Sequence, residues 1–173
     1  MRYLKLHLKA PFMYFASDSR RVHACQGEPH YSTTLHPTYD TVAGILAAAL
    51  GMESRFANKN SVIRGLDIKY ETVKAGREFI DFQTVHPFVA FRTLDNKVKG
   101  RGANTMIKHV HYLSDAEFYV YVGADDDRLD KFETALKNPK YDLYIGKRCC
   151  FPSAPIIGSI VNSEDLPKEV LNV

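Results

Sequence analysis

The 173-residue chain has no stretch of about 18 consecutive apolar residues, which excludes a transmembrane helix on length. Cysteine is scarce. Three cysteines, two of them adjacent at Cys149 and Cys150, make a poor disulfide framework and point to a reduced, cytoplasmic setting. They also lack the C-x-x-C spacing of a zinc site, so neither a metal nor another cofactor is expected. A Gly-rich Walker loop, a serine nucleophile elbow and an H-E-x-x-H helix are all missing. No repeat of fixed period and no low-complexity segment occurs. The formal net charge of +3 is too small to imply a nucleic-acid partner on its own. What is present is 45% apolar residues, enough for one real core at this length. The opening MRYLKLHLKAP alternates too regularly for a signal peptide and reads as mature structure.

Residues 36–51, HPTYDTVAGILAAALG, predict a largely buried helix. Val42, Ile45, Leu46, Ala49 and Leu50 fall on one stripe. Thr38 is placed to cap its start, Asp40 faces the positive end of the dipole, and Gly51 stops it. Ala43, Gly44, Ala47 and Ala48 present small side chains that let another backbone come close. The free N–H groups and threonine hydroxyls of the first turn are suited to holding a phosphate.

Around this helix the chain has period two. Residues 3–9 place Leu4, Leu6 and Leu8 on one side, a half-buried strand. A long irregular stretch over 10–37 carries Arg20, Arg21, His23, His30 and His36, and loops of that length are functional or mobile. Leu66, Ile68 and Tyr70 mark a second strand, Ala75-Gly76 a turn, and 78–92 an extended segment with Pro87 at an edge. Residues 105–113 alternate without a greasy face, as in one arm of a protruding ribbon. Phe118, Val120 and Val122 mark a core strand. Asp125-Asp126-Asp127 opens a second helix with Leu129, Phe132 and Leu136 buried, and capping explains this acidic triple better than a divalent metal does. A last strand is expected over 141–145, then a turn at Gly146-Lys147-Arg148 and a surface tail over 151–173. Without the ribbon the order is βαββαβ, the ferredoxin-like or RRM-like arrangement of an α+β domain. That fold hosts many functions.

The sharpest charge feature is again an absence. Asn96 to Ser114 holds Lys97, Lys99, Arg101, Lys108, His109 and His111, with no Asp or Glu in nineteen residues. Such a ribbon, with a flexible Gly100-Arg101-Gly102 tip, suits a phosphate backbone, and Tyr112 and the loop aromatics suit stacking on unpaired bases. His30, His36, His109 and His111, with Lys108, also supply the groups that a metal-independent ribonuclease needs as base and transition-state cation. Histidines in a basic loop equally serve as phosphate or backbone partners.

Four blocks, LKAPFMYFASDSRR, HPTYDTVAGILAAALG, HYLSDAEFYVYV and LYIGKRCCFPSAPI, resemble in that order the CasD (Cas-five) family of CRISPR Cascade subunits, particularly its type I-E branch. The resemblance implies an RRM-like core of the RAMP type over 1–150, with a β-hairpin thumb inserted at about 78–113, and a tail over 151–173. It implies an RNA-binding subunit that caps the Cascade filament and holds the 5′ handle of the CRISPR RNA. The neighbours would be the backbone and large subunits, with target DNA reached indirectly through the complex. Carried over by motif, the handle site lies near Arg20 and Arg21, the helix start at Thr38, Tyr39 and Thr41, and the Lys147-Arg148 turn. Two positions depart from the family pattern: Tyr39-Asp40 stands where a lysine is usual, and Met13-Tyr14-Phe15-Ala16 replaces Gln-Ser-Trp-Gly. One branch of the family cleaves repeat RNA, so an endoribonuclease is the second reading.

Overall fold

The computed structural model describes residues 2–16, 30–52, 62–85 and 106–173. Strand β1 (Arg2–Lys9) buries Leu4, Leu6 and Leu8 completely, as its alternation requires. It pairs antiparallel with β7 (Glu117–Gly123), which pairs antiparallel with β4 (Asp67–Lys74). The register sets Leu4, Leu6 and Leu8 opposite Val122, Val120 and Phe118, and these opposite Ile68, Tyr70 and Thr72. One greasy face results. Helices α1 (Tyr39–Leu50) and α2 (Asp126–Lys137) cover it with Val42, Ile45 and Leu46 and with Leu129, Phe132 and Leu136. Each fully buried Leu, Ile or Phe contributes about 1.5–3 kcal/mol.

The edges are β8 (Ser159–Asn162) on β1 and β9 (Leu171–Asn172) on β4, giving the order β8-β1-β7-β4-β9 among the described residues. Four of these strands, β8-β1-β7-β4, follow the order of a ferredoxin-like sheet. The fourth strand, however, is not at 141–145. There, the backbone N–H groups of Lys140 and Tyr141 donate to Ala49 and Ala48 at the carbonyl end of α1. Ile145 accepts from the Tyr14 N–H and donates to Cys150. These bonds supply donors to the free carbonyls of a helix terminus, and the groups that make them are not available for a ladder. Residues 159–162 take the edge instead, and 151–173 therefore contributes two strands as well as surface crossings.

Two helix starts also differ from expectation. Thr38 sits at the N-cap, but its hydroxyl lies 3.0 Å from the Thr41 hydroxyl and caps no backbone N–H. Asp125 takes the guanidinium of Arg128 at 3.1 Å, and Asp126 takes that of Arg2 at 2.7 Å. Gly51 does close α1, at φ 76°.

The second sheet is built on β6 (Met106–Ser114), which pairs along its length with β5 (Arg77–Val85). On its other side lie β2 (Phe12–Met13) and β3 (His30–Tyr31). The hairpin is thus inserted between core strands β4 and β7, through the turn at Gly76 and the Asp115-Ala116 link.

Candidate nucleic-acid interface

Antiparallel register sorts the hairpin into two faces. Lys108, Val110, Tyr112 and Ser114 share one with Gln83, Asp81, Phe79 and Arg77. Ile107, His109 and His111 share the other with Thr84, Phe82 and Ile80. The first face runs into the turn after residue 145. There, Gly146 adopts φ 95°, and a side chain at this position would strike the carbonyl of Tyr14. That turn lays Lys147 over two rings, its Nζ 4.0 Å from the Tyr14 centroid and 5.3 Å from that of Tyr112. Burial lowers the pKa of Lys147; Lys108 acts in the same sense, and Asp81 opposes it. Burial also pushes the Cys150 thiol up to about 12 and raises the Tyr112 hydroxyl, which meets the Cys149 Sγ at 3.5 Å. Tyr112 and Cys150 are therefore neutral at pH 7 and set no negative charge beside Lys147.

On the far side of Tyr14 a groove of about 760 Å³ runs over α1. Thr41, Gly44, Ala48, Tyr141, Tyr144, Arg148 and Asp40 are among the residues that line it. Arg148 is exposed and has no hydrogen bond or ion pair among the described residues. Tyr14 belongs both to this groove and to the pair of rings under Lys147, so the groove and the hairpin face form one surface.

The open face of the main sheet is the other surface on which an RRM-like domain can carry bases. Here it is closed by its own side chains. Tyr3 and Tyr121 are 3% and 2% exposed, and their hydroxyls donate to Asp67 and Glu71. Lys5 lies 3.8 Å over the Tyr119 ring, Lys69 donates to Tyr3, and Glu117 takes both Lys9 and His7. Glu117 and Asp67 thus pair with Lys9 and Lys69, and Lys5 is spent on a ring.

Of the residues expected from sequence, Lys108, Tyr112 and Lys147 share one face, and Thr41 and Arg148 share the adjoining groove. Tyr39 is committed elsewhere, donating its hydroxyl to the Ile63 carbonyl at 2.7 Å, and Thr38 is tied to Thr41. His109 and His111 are not brought to Lys108. They lie on the opposite face, His109 edge-on to Phe82 and His111 paired with Glu78 at 2.7 Å. His36 stacks on Tyr70 of the main sheet, and His30 is placed only by its backbone pairing beside His109. The side chains of His36, His109 and His111 thus do not meet Lys108 in one site. Arg20, Arg21, Lys97, Lys99 and Arg101 lie outside the described residues, as does the expected ribbon tip. Phe12 and Tyr14, expected only as unspecified loop aromatics, and Phe79, not expected at all, join the surface. Their sequence signal is faint: aromatics alternating through short, mostly polar strands.

A model of the CRISPR-associated protein (Cas_Cas5) family matches residues 3–172. The chain belongs to this family. No curated protein matches it. Among solved structures, this Cas5-family chain is similar to a chain of a CRISPR RNA-guided surveillance complex, with a TM-score of 0.70 at 21% identity, over 89% of this chain and 61% of that one. It is also similar to a Cas protein solved by crystallography, with a TM-score of 0.61 at 24% identity, over 98% of this chain and 67% of that one. The chain therefore spans about three fifths of the length of the first. Both likenesses are of fold, and that fold is the α+β, ferredoxin-like core with an inserted hairpin described above. No helix among the described residues is long and apolar enough to cross a membrane.

Proposed function

We propose that this Cas5-family chain is the RNA-binding subunit of a type I CRISPR surveillance complex, of the type I-E-like branch. It holds the 5′ handle of the CRISPR RNA and caps the backbone filament, in the cytoplasm. The backbone and large subunits adjoin it, and target DNA is reached only through the assembled complex. The observation that carries this reading is the one-sidedness of charge. Lys147 lies over the Tyr14 and Tyr112 rings, with Lys108 on the same hairpin face and Arg148 on the adjoining groove, whereas Lys9 and Lys69 of the main sheet's open face are paired with Glu117 and Asp67. Backbone contacts supply affinity, and splayed bases supply specificity.

Fluorescence anisotropy with a labelled single-stranded CRISPR repeat RNA tests it, across a salt series in EDTA. Each single-strand phosphate contact contributes about 0.7 to the slope of log K against log salt. Replacing both Lys108 and Arg148 by Ala is expected to weaken binding at every salt and flatten the slope by about 1.4. The RNA should remain intact on a denaturing gel. A single cut that depends on His30, His36, His109 or His111 would favour the endoribonuclease instead.

A further inference from the structure

Two phenylalanines on the hairpin face have no structural duty that requires exposed rings. Phe12, on β2, is 40% exposed and Phe79, on β5, is 45% exposed, with ring centroids 5.2 Å apart and planes tilted by 43°. The row continues inward. Tyr112 meets Phe12 edge-on at 6.0 Å and Tyr14 at 6.3 Å, and Lys147 closes the row over Tyr14. Lys147 and Tyr14 are half-buried and Tyr112 is buried, so only the two outer rings are open.

We propose that Phe12 and Phe79 form a stacking shelf for one unpaired nucleobase of a single-stranded RNA whose backbone runs toward Lys147 and Lys108. This rests on the RNA reading above and adds the element that holds a base. Any base offers a π-face to such a shelf, so it orders a splayed nucleotide without reading its identity. Charge selects a polyanion over an apolar protein surface as the occupant. Arg77, Lys108 and Lys147 share this face with one described carboxylate, Asp81, which accepts a hydrogen bond from Gln83. The opposite face exposes Ile80 and Phe82 without that cation excess, because its charged pair is Glu78 with His111. It serves as an internal control.

The test uses the full chain and a short single-stranded CRISPR repeat RNA carrying 2-aminopurine at each position in turn. Binding is expected to quench the fluorescence at one position. In a Phe12→Leu, Phe79→Leu double variant, which keeps apolar volume but removes the π-faces, that quenching should vanish and Kd should rise about tenfold. Phe82→Leu should change neither. Unaltered quenching and affinity in the double variant would overturn the shelf. So would an equal loss in Phe82→Leu, which would mark the hairpin as a general apolar contact. Binding that weakens on loss of Lys108 and Arg148 but ignores the rings would overturn the shelf alone. A wild-type chain that binds no RNA would overturn the RNA reading and the shelf together.

Discussion

Gly146 has its backbone at φ 95°, and a Cβ there would collide with the carbonyl of Tyr14. Alanine therefore meets two penalties at once, a left-handed conformation and a backbone clash that no rotamer change relieves. The loss belongs to the turn as a whole, because the same turn places Lys147 over Tyr14 and Tyr112 and supports the Tyr14 N–H bond to Ile145. Gly146→Ala should cost about 3 kcal/mol, and thermal melting should show a Tm lower by about 10 °C. A midpoint within about 2 °C of wild type would show that the turn relaxes freely. The glycine was visible in sequence as a turn residue. That it is irreplaceable was not, since the obstacle comes from a residue more than a hundred positions away.

Strands β1 and β7 join through a polar cluster on the open face, where Glu117 accepts from Lys9 at 3.0 Å and pairs with His7 at 2.8 Å. Lys9 first, then His7, holds the Glu117 carboxyl below its ordinary pKa. The folded chain therefore binds this proton less readily than the unfolded chain. The stability so gained is fully present above the unfolded glutamate value of about 4.3 and is lost as pH falls through the lower folded value. Between about pH 5 and about pH 3 the urea midpoint of wild type should fall further than that of Glu117→Gln. Parallel declines would mean that the pair adds nothing to the ladder. This cluster follows from period two, which placed His7, Lys9 and Glu117 on faces that register then brings together. Period two also located β1, β4 and β7, and the heptad-like stripes located both helices. It failed at 141–145, where alternation is as good as in a strand, because strand pairing depends on which backbone groups are already spent. Here the carbonyl end of α1 and the turn at Cys150 take them. The candidate site was half legible for a similar reason. Charge along β6 shows in sequence, whereas the meeting of Phe12, Phe79 and Lys147 depends on three separate segments converging.

At the scale of the whole molecule, the last segment belongs to the architecture that presents the site. Ser159–Asn162 pairs with Arg2–Lys5 of β1, Leu171–Asn172 pairs with β4, and the Val173 N–H donates to Ile68. Ile156 is buried in the main core, and the Ser153 N–H donates to Lys9 at 2.7 Å, just beyond the turn that carries Lys147. We propose, accordingly, that 151–173 acts as a strap on the sheet. Removing it would expose about 1.5–3 kcal/mol of buried Ile156 alone. It would also strip several ladder bonds, each worth about 1 kcal/mol net, against a typical total stability of about 5–15 kcal/mol. The β1 edge would be left open beside Leu4, inviting association with other chains. A chain ended after residue 150 should show no cooperative thermal transition by circular dichroism and no salt-dependent RNA binding, since the turn over Tyr14 would lose its support. A cooperative melt within about 3 °C of the full chain, with RNA affinity unchanged, would mean that the segment is a dispensable tail and that the inner strands hold the RNA-facing surface by themselves.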